Sequence, residues 1–154
     1  MKFFKFWLST KIPLRTFVLI TILGFVADQI TKLFTIHTLV LDQSKEIIPR
    51  ILAFHYVQNT GASFSILPNA TLFLTIFSII VAILIILCYK KIPEHQRLFF
   101  AFILAGTLGN LLDRIRFGYV VDFLDFKIWP VFNLADSFVT LGALSLVYML
   151  MKEK

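Results

Sequence analysis

Between Ala70 and Tyr89 the chain runs for twenty residues without a charge, and nearly every side chain is hydrocarbon. A helix needs about 20 such residues to cross the apolar core of a bilayer. A chain of 154 residues has no interior large enough to hide this run from water. Three further stretches, residues 16–34, 98–112 and 134–151, are also mainly apolar but carry polar interruptions. The hydrophobic share is 58%, against about 45–50% for a soluble domain. We therefore expect an all-α integral membrane protein with four transmembrane helices, forming a single membrane-embedded domain over residues 1–154.

The first stretch follows Lys2, Lys5, Lys11 and Arg15, which resembles the start of a cleaved leader. Its one small-residue end, Phe25-Val26-Ala27, has a bulky Phe where a small side chain is wanted. The apolar pattern also continues past that point. We keep it as the first span.

The basic residues orient the spans. Those at the N-terminus, Lys90, Lys91 and Arg97 between spans two and three, and Lys152 and Lys154 at the end all fall on one side of a four-span chain. The positive-inside bias makes that side the cytoplasm. Both termini are then cytoplasmic, and segments 39–69 and 113–133 lie outside. The 39–69 segment is too long for a tight turn. Residues 51–57 (ILAFHYV) have strand character, and Asn59-Thr60-Gly61 suits a turn. A small β-rich extracytoplasmic flap between helices 1 and 2 is expected here. Trp7 and Trp129 suit interfacial anchoring at opposite faces. The Asn69-Ala70-Thr71 sequon abuts span two and is read as accidental.

The basic residues flank apolar runs and form no soluble basic face, so nucleic acid is not an expected partner. Cys88 is the single cysteine, and no Cys/His group has zinc-like spacing. His37, His55 and His95 are scattered and are given no role. A structural metal site or a disulfide scaffold is therefore not expected.

Charges inside spans are costly and usually face a functional interior. At about 1.5 Å per helical residue, Asp28 lies about 20 Å from Arg15. Asp113 lies about 24 Å from Arg97, and Asp136 about 24 Å from Lys152. In a core about 30 Å thick, carboxylates from three helices thus gather near the outer face. Asp28 and Lys32 are one turn apart, which favours a structural ion pair. Asn110, Asp113 and Arg114 share a helical face, and Asp113 with Arg114 suits a structural pairing. Asn133 can cap the fourth helix. Gly106 and Gly109 would let a neighbouring backbone approach.

Asp122 and Asp136 resist a purely structural reading, because neither has a basic neighbour at helical spacing on its own segment. Two such carboxyls in one partly dry site share a proton and titrate as a pair. One can then take a proton from water while the other donates one. The same cluster could instead hold a divalent cation or line an ion path. A small transporter or ion-binding protein, or a non-catalytic assembly subunit, are the competing classes. The absence of a visible inverted repeat weighs against the transporter.

Five blocks carry a resemblance. They are Asp28-Gln29-Ile30-Thr31-Lys32, Asn59-Thr60-Gly61-Ala62-Ser63-Phe64, Gly106 to Arg114 (GTLGNLLDR), Val120 to Phe126 (VVDFLDF) and Phe132-Asn133-Leu134-Ala135-Asp136. In this order they resemble the lipoprotein signal peptidase family, also called signal peptidase II. The resemblance implies an intramembrane aspartic endopeptidase of the bacterial cytoplasmic (inner) membrane. Its substrate would be a prolipoprotein carrying a diacylglyceryl-modified cysteine, cut just before that cysteine. It implies Asp122 and Asp136 as the catalytic dyad. Asp28, Lys32, Asn59, Gly61, Asn110, Asp113, Arg114 and Asn133 would bind substrate or brace the site. Membrane lipids and globomycin-type inhibitors are the other implied partners, and the resemblance implies no metal or cofactor. Thr107 stands where Gly is common in the family and Ser63 where Ala is common, and neither touches the dyad.

Overall fold

A computed structural model describes residues 11–61 and 70–152. Trp7, Asn69, Ala62, Ser63 and Phe64 lie outside them. Four long helices appear among the described residues: α1 (Leu14–Thr38), α2 (Thr71–Cys88), α3 (Arg97–Phe117) and α4 (Leu134–Lys152). With the short turns that extend α2 and α3, each is long and apolar enough to cross a membrane. The helices outrun the sequence estimates mainly at α1 and α3, because Thr35, His37, Asp113, Arg114 and Arg116 are polar or charged and still helical. Gly118 ends α3 in the left-handed conformation, with φ 78°, and its N–H reaches Arg114 O at 3.0 Å.

α3 is the centre of the bundle and touches each of the other three helices. Its small side chains explain why: Ala101, Ala105, Gly106 and Gly109 are buried. A Cβ on Gly106 would collide with the backbone oxygen of Ala135 on α4. The expected close approach of a neighbouring backbone is therefore met at Gly106. At Gly109 it is the Asp28 carboxylate that takes the space. α2 contributes least to the interior, and Leu72, Phe73, Ile83 and Leu87 all stand exposed on it. Water would not tolerate such a surface, whereas lipid would.

At the end where α1 and α3 finish and α2 and α4 begin sits a three-stranded antiparallel sheet in the order β1-β2-β3, formed by β1 (Ser44–Ile48), β2 (Leu52–Asn59) and β3 (Val120–Asp125). The flap is thus not built from the 39–69 segment alone: β3 comes from the other connection, after α3. Its burial explains why it gave no alternating signal. Val120, Val121, Asp122 and Phe123 are all buried, so both faces of the strand are covered.

At the opposite end, Arg97 ties the chain start to the α2–α3 elbow. Its Nη1 donates to Ile12 O at 3.1 Å, and its guanidinium lies 4.6 Å from the centre of the Tyr89 ring. Ile12, Phe17, Ala82, Ile85, Ile92, Ala101 and Leu104 form the apolar core beside it.

Gly106→Ala should lower the melting temperature of the purified protein, by about 1–3 kcal/mol of stability. The obstructing atom is backbone and cannot rotate away. Unchanged thermal unfolding would show that α3 and α4 pack less closely.

Candidate active site

Lys32 is 2% exposed and has three partners. Its Nζ lies 2.9 Å from Asp28 Oδ2, 3.0 Å from Asp113 Oδ2 and 2.9 Å from Asn110 Oδ1. The ammonium's three N–H groups are therefore all used. The Asp28–Lys32 pair stands as the spacing foretold. The Asp113–Arg114 pairing does not: Asp113 turns to Lys32 on α1, while Arg114 lies within electrostatic reach of Asp136, Asp122 and Asp113 in that order. Adjacent residues on a helix point about 100° apart, so a neighbour in sequence is a poor partner in space.

The two bracing carboxylates also hold other parts of the chain. Asp28 Oδ1 accepts the Ala135 N–H at 2.8 Å, at the start of α4. Asp113 Oδ2 accepts the Val121 N–H at 3.1 Å, at the start of β3. Gln29 Nε2 reaches Asp28 Oδ2, Asp113 Oδ1 and Gly109 O at 3.1–3.3 Å. Sequence reasoning placed Gln29 in a block without giving it a role. Its amide had no legible partner before α3 was placed.

From Lys32 the polar network runs through two asparagines. An ammonium has no acceptor, so Asn110 must turn its oxygen to Lys32 and its nitrogen away. That nitrogen donates to Asp136 Oδ1 at 2.8 Å. Asn110 Oδ1 also accepts from Asn133 Nδ2 at 3.1 Å. Asn133 caps α4 as expected: its Oδ1 accepts the Asp136 N–H at 2.8 Å, and Asp136 Oδ2 accepts the Asn133 N–H at 3.3 Å. The same Asn133 Nδ2 donates to Asp122 Oδ1 at 2.6 Å. One fully buried side chain thereby touches both members of the Asp pair.

Asp122 is held from its other side by Asn59. β2 and β3 pair Asn59 with Val120, which puts Asp122 diagonally across on the same face. Asn59 Nδ2 donates to Asp122 Oδ2 at 2.9 Å. The expected turn chemistry is also there, with the Gly61 N–H donating to Asn59 Oδ1 at 2.9 Å. The turn thus fixes the amide that grips the carboxylate. Burial, with the charge of Asp136 adding to it, pushes the Asp122 carboxyl up to about 7, against the two amide donors that favour ionisation. The structure brings Asp28, Lys32, Asn59, Asn110, Asp113, Asp122, Asn133 and Asp136 into one network. Gly61 joins through its N–H, and Arg114 through its charge alone.

The histidines remain outside. His55 Nδ1 lies 3.6 Å from Asp125 Oδ2, at the sheet edge, where Lys127 Nζ also binds that oxygen at 2.8 Å. Among the described residues, no group of three or more His, Cys, Asp or Glu side chains has metal-ligand geometry.

A family model described as signal peptidase (SPase) II matches residues 20–152. The chain belongs to the signal peptidase II family. A lipoprotein signal peptidase of Halothermothrix orenii is 44% identical over 139 residues, covering 88% of this chain and 96% of its own. One from Streptococcus agalactiae is 42% identical over 141 residues, covering 88% and 92%. A solved structure described as a bacterial membrane enzyme superposes with a TM-score of 0.87 at 33% identity, covering 93% of this chain and 92% of that one. A second, described in the same words, gives 0.84 at 32% identity, covering 94% and 97%. Both solved structures therefore match this chain's fold over more than nine-tenths of its length.

Lys32→Met should cost about 3–5 kcal/mol, because it strands Asp28 and Asp113 as uncompensated buried charges. Thermal unfolding in detergent reads this directly. A variant melting within a few degrees of the parent would show that Lys32 is not the counter-charge for both.

Proposed function

We propose that this multi-pass bacterial membrane peptidase is an aspartic endopeptidase that removes signal peptides from prolipoproteins, cutting just before the diacylglyceryl-modified cysteine. The supporting observation is the bridge made by Asn133 between Asp122 and Asp136. It orients two carboxyls that have no basic hydrogen-bond partner of their own, whereas Asp28 and Asp113 are neutralised by Lys32.

The chemistry follows from a pair holding one proton. The ionised carboxylate takes a proton from water as its oxygen adds to the scissile carbonyl carbon. The protonated partner donates to the carbonyl oxygen, and the tetrahedral intermediate results. Its collapse breaks the C–N bond: the carboxyl that took water's proton passes it to the leaving nitrogen of the cysteine, and its partner recovers a proton from the intermediate's hydroxyl. The signal peptide leaves with a new carboxyl group, and the lipoprotein begins with a free amine. Each catalytic carboxylate keeps lone pairs beyond those its amide donors occupy, and these are what water and substrate meet. Arg114 sets a positive charge within electrostatic reach of both carboxyls, which favours keeping one of them ionised.

The substrate arrives within the bilayer, and the sheet end of the bundle lies at the outer face. The site then sits within lateral reach of a membrane-embedded signal peptide and its lipid. Globomycin-type peptides should compete for the same place. Residues 1–154 act as one membrane-embedded domain with both termini in the cytoplasm.

Incubation of the purified protein with a diacylglyceryl-modified prolipoprotein, with products weighed by mass spectrometry, should give one cut before the lipidated cysteine. No cut, or a cut elsewhere, would refute the reading. Prolonged chelation should leave the turnover unchanged; a loss reversed only by divalent ions would move the assignment to a metallopeptidase.

Asp122→Asn and Asp136→Asn should each lower the single-turnover rate by about 10³-fold or more, since proton transfer alone is worth about 10²–10⁴. The folded Asp122 carboxyl keeps its proton up to about pH 7, whereas an unfolded one loses it near pH 4. Its contribution to stability therefore falls as pH rises from about 4 to about 7. The neutral Asn escapes that fall, so Asp122→Asn should melt no lower than the parent above pH 7. A lower melting temperature there would make Asp122 a structural carboxylate.

Cysteines placed at the exposed Glu46 and Lys91, in a Cys88→Ser background, should label from opposite sides of intact cells, Glu46 from outside. Labelling of both from one side would overturn the orientation.

A further inference from the structure

Residues 126–132, between β3 and α4, form a loop that is clamped at its base. Phe123 and Leu124 both donate their N–H to Phe132 O, at 3.0 and 2.7 Å, and the Phe132 N–H donates back to Leu124 O at 3.1 Å. The Phe126 and Phe132 rings stack 5.8 Å apart. At the loop's start the Asp125 carboxylate accepts the Lys127 N–H at 2.8 Å and holds the Lys127 ammonium at the same distance. The loop is therefore set in shape without help from a ligand.

Between this loop and α4 lies a cavity of about 540 Å³. Phe126, Trp129 and Phe132 form the loop wall, and Thr140 and Leu141 belong to the α4 wall. Ser137 also borders it, but its hydroxyl is turned to Asn133 O at 3.1 Å. Among the described residues of the wall, the one charged group is Asp136. Leu141 and Leu144 stand exposed on the same helix, so the cavity is continuous with a lipid-facing surface. The volume lies in the range of small-ligand sites, about 300–1,000 Å³, and is larger than one side chain fills.

We propose that this cavity is the seat of one alkyl chain of the substrate's lipid, and that it selects substrates by the length of that chain. The assignment rests on the peptidase reading above. An occupant of this cavity must be apolar along its length, must enter from the membrane, and must end at Asp136. An alkyl chain attached beside the scissile bond meets all three conditions. A signal-peptide side chain meets the first and last, yet leaves most of the volume empty. Seating the chain buries apolar surface next to the reacting bond, so binding energy from the lipid positions the carbonyl between the two carboxylates.

The test uses two lipopeptides of identical sequence across the cleavage site, one carrying palmitoyl and the other hexanoyl chains on the glyceryl group. The parent should prefer the palmitoyl substrate in kcat/KM. Thr140→Trp, which fills the cavity, should reduce that preference by about tenfold or more, the scale on which a hydrophobic pocket discriminates. Should that variant fail to fold, Val131→Trp blocks the cavity from the loop wall and carries the same expectation. A second pair of substrates keeps the palmitoyl chains and varies the size of the residue before the scissile bond. If the variants leave the chain-length preference intact, the proposal is overturned. If they change the preference for that residue instead, the occupant is the signal peptide and the proposal is likewise overturned. If the parent cleaves none of the lipopeptides, the peptidase reading itself fails. Cleavage by the parent with no chain-length preference refutes the alkyl seat alone.

Discussion

The buried ammonium of Lys32 is the interaction on which the rest of this structure depends. Removing a charge from water near the middle of a bundle is very unfavourable unless every donor is met. Here two carboxylates and one amide meet them, from α1 itself and from α3. The carboxylates in turn accept the first free N–H groups of α4 and β3. One cation thus fixes two helices and sets where two further elements begin. The orientation of Asn110 follows from it, and those of Asn133 and Asp136 follow from Asn110.

This separates carboxylates that pair with a cation from carboxylates that do not. Asp28 and Asp113 share Lys32 and are consumed by structure. Asp122 and Asp136 are held only by amides and backbone, so their charge is steered without being neutralised. Such an arrangement keeps two carboxyls near one another and lets their proton be shared. Arg114 contributes field without a direct hydrogen bond to the pair.

The apolar parts serve the same end. Gly106 and Gly109 let α4 and the Asp28 carboxylate come close enough for the network to close. α2 stays at the edge, largely facing outward, and carries none of the network. The sheet grips Asp122 through Asn59, and the clamped loop after β3 walls a cavity that reaches Asp136.

The sequence by itself determined the four spans, the gathering of carboxylates from different helices at one level of the bundle, the Asp28–Lys32 pair and the cap at Asn133. All of these are local: they follow from apolar length, rise per residue and side chains one turn apart. The five blocks named the site residues through a resemblance, without their contacts. Tertiary structure alone decided that Asp113 belongs to Lys32 and not to Arg114, and that Gln29 links α1 to α3. It also decided that Val120–Asp125 is a strand of the same sheet as residues 52–59. Each of these joins residues about sixty to eighty-five positions apart in the chain. Helical periodicity carries no information over such distances. A strand covered on both faces shows no alternation, and a hydrogen bond between segments exists only once packing has brought them together.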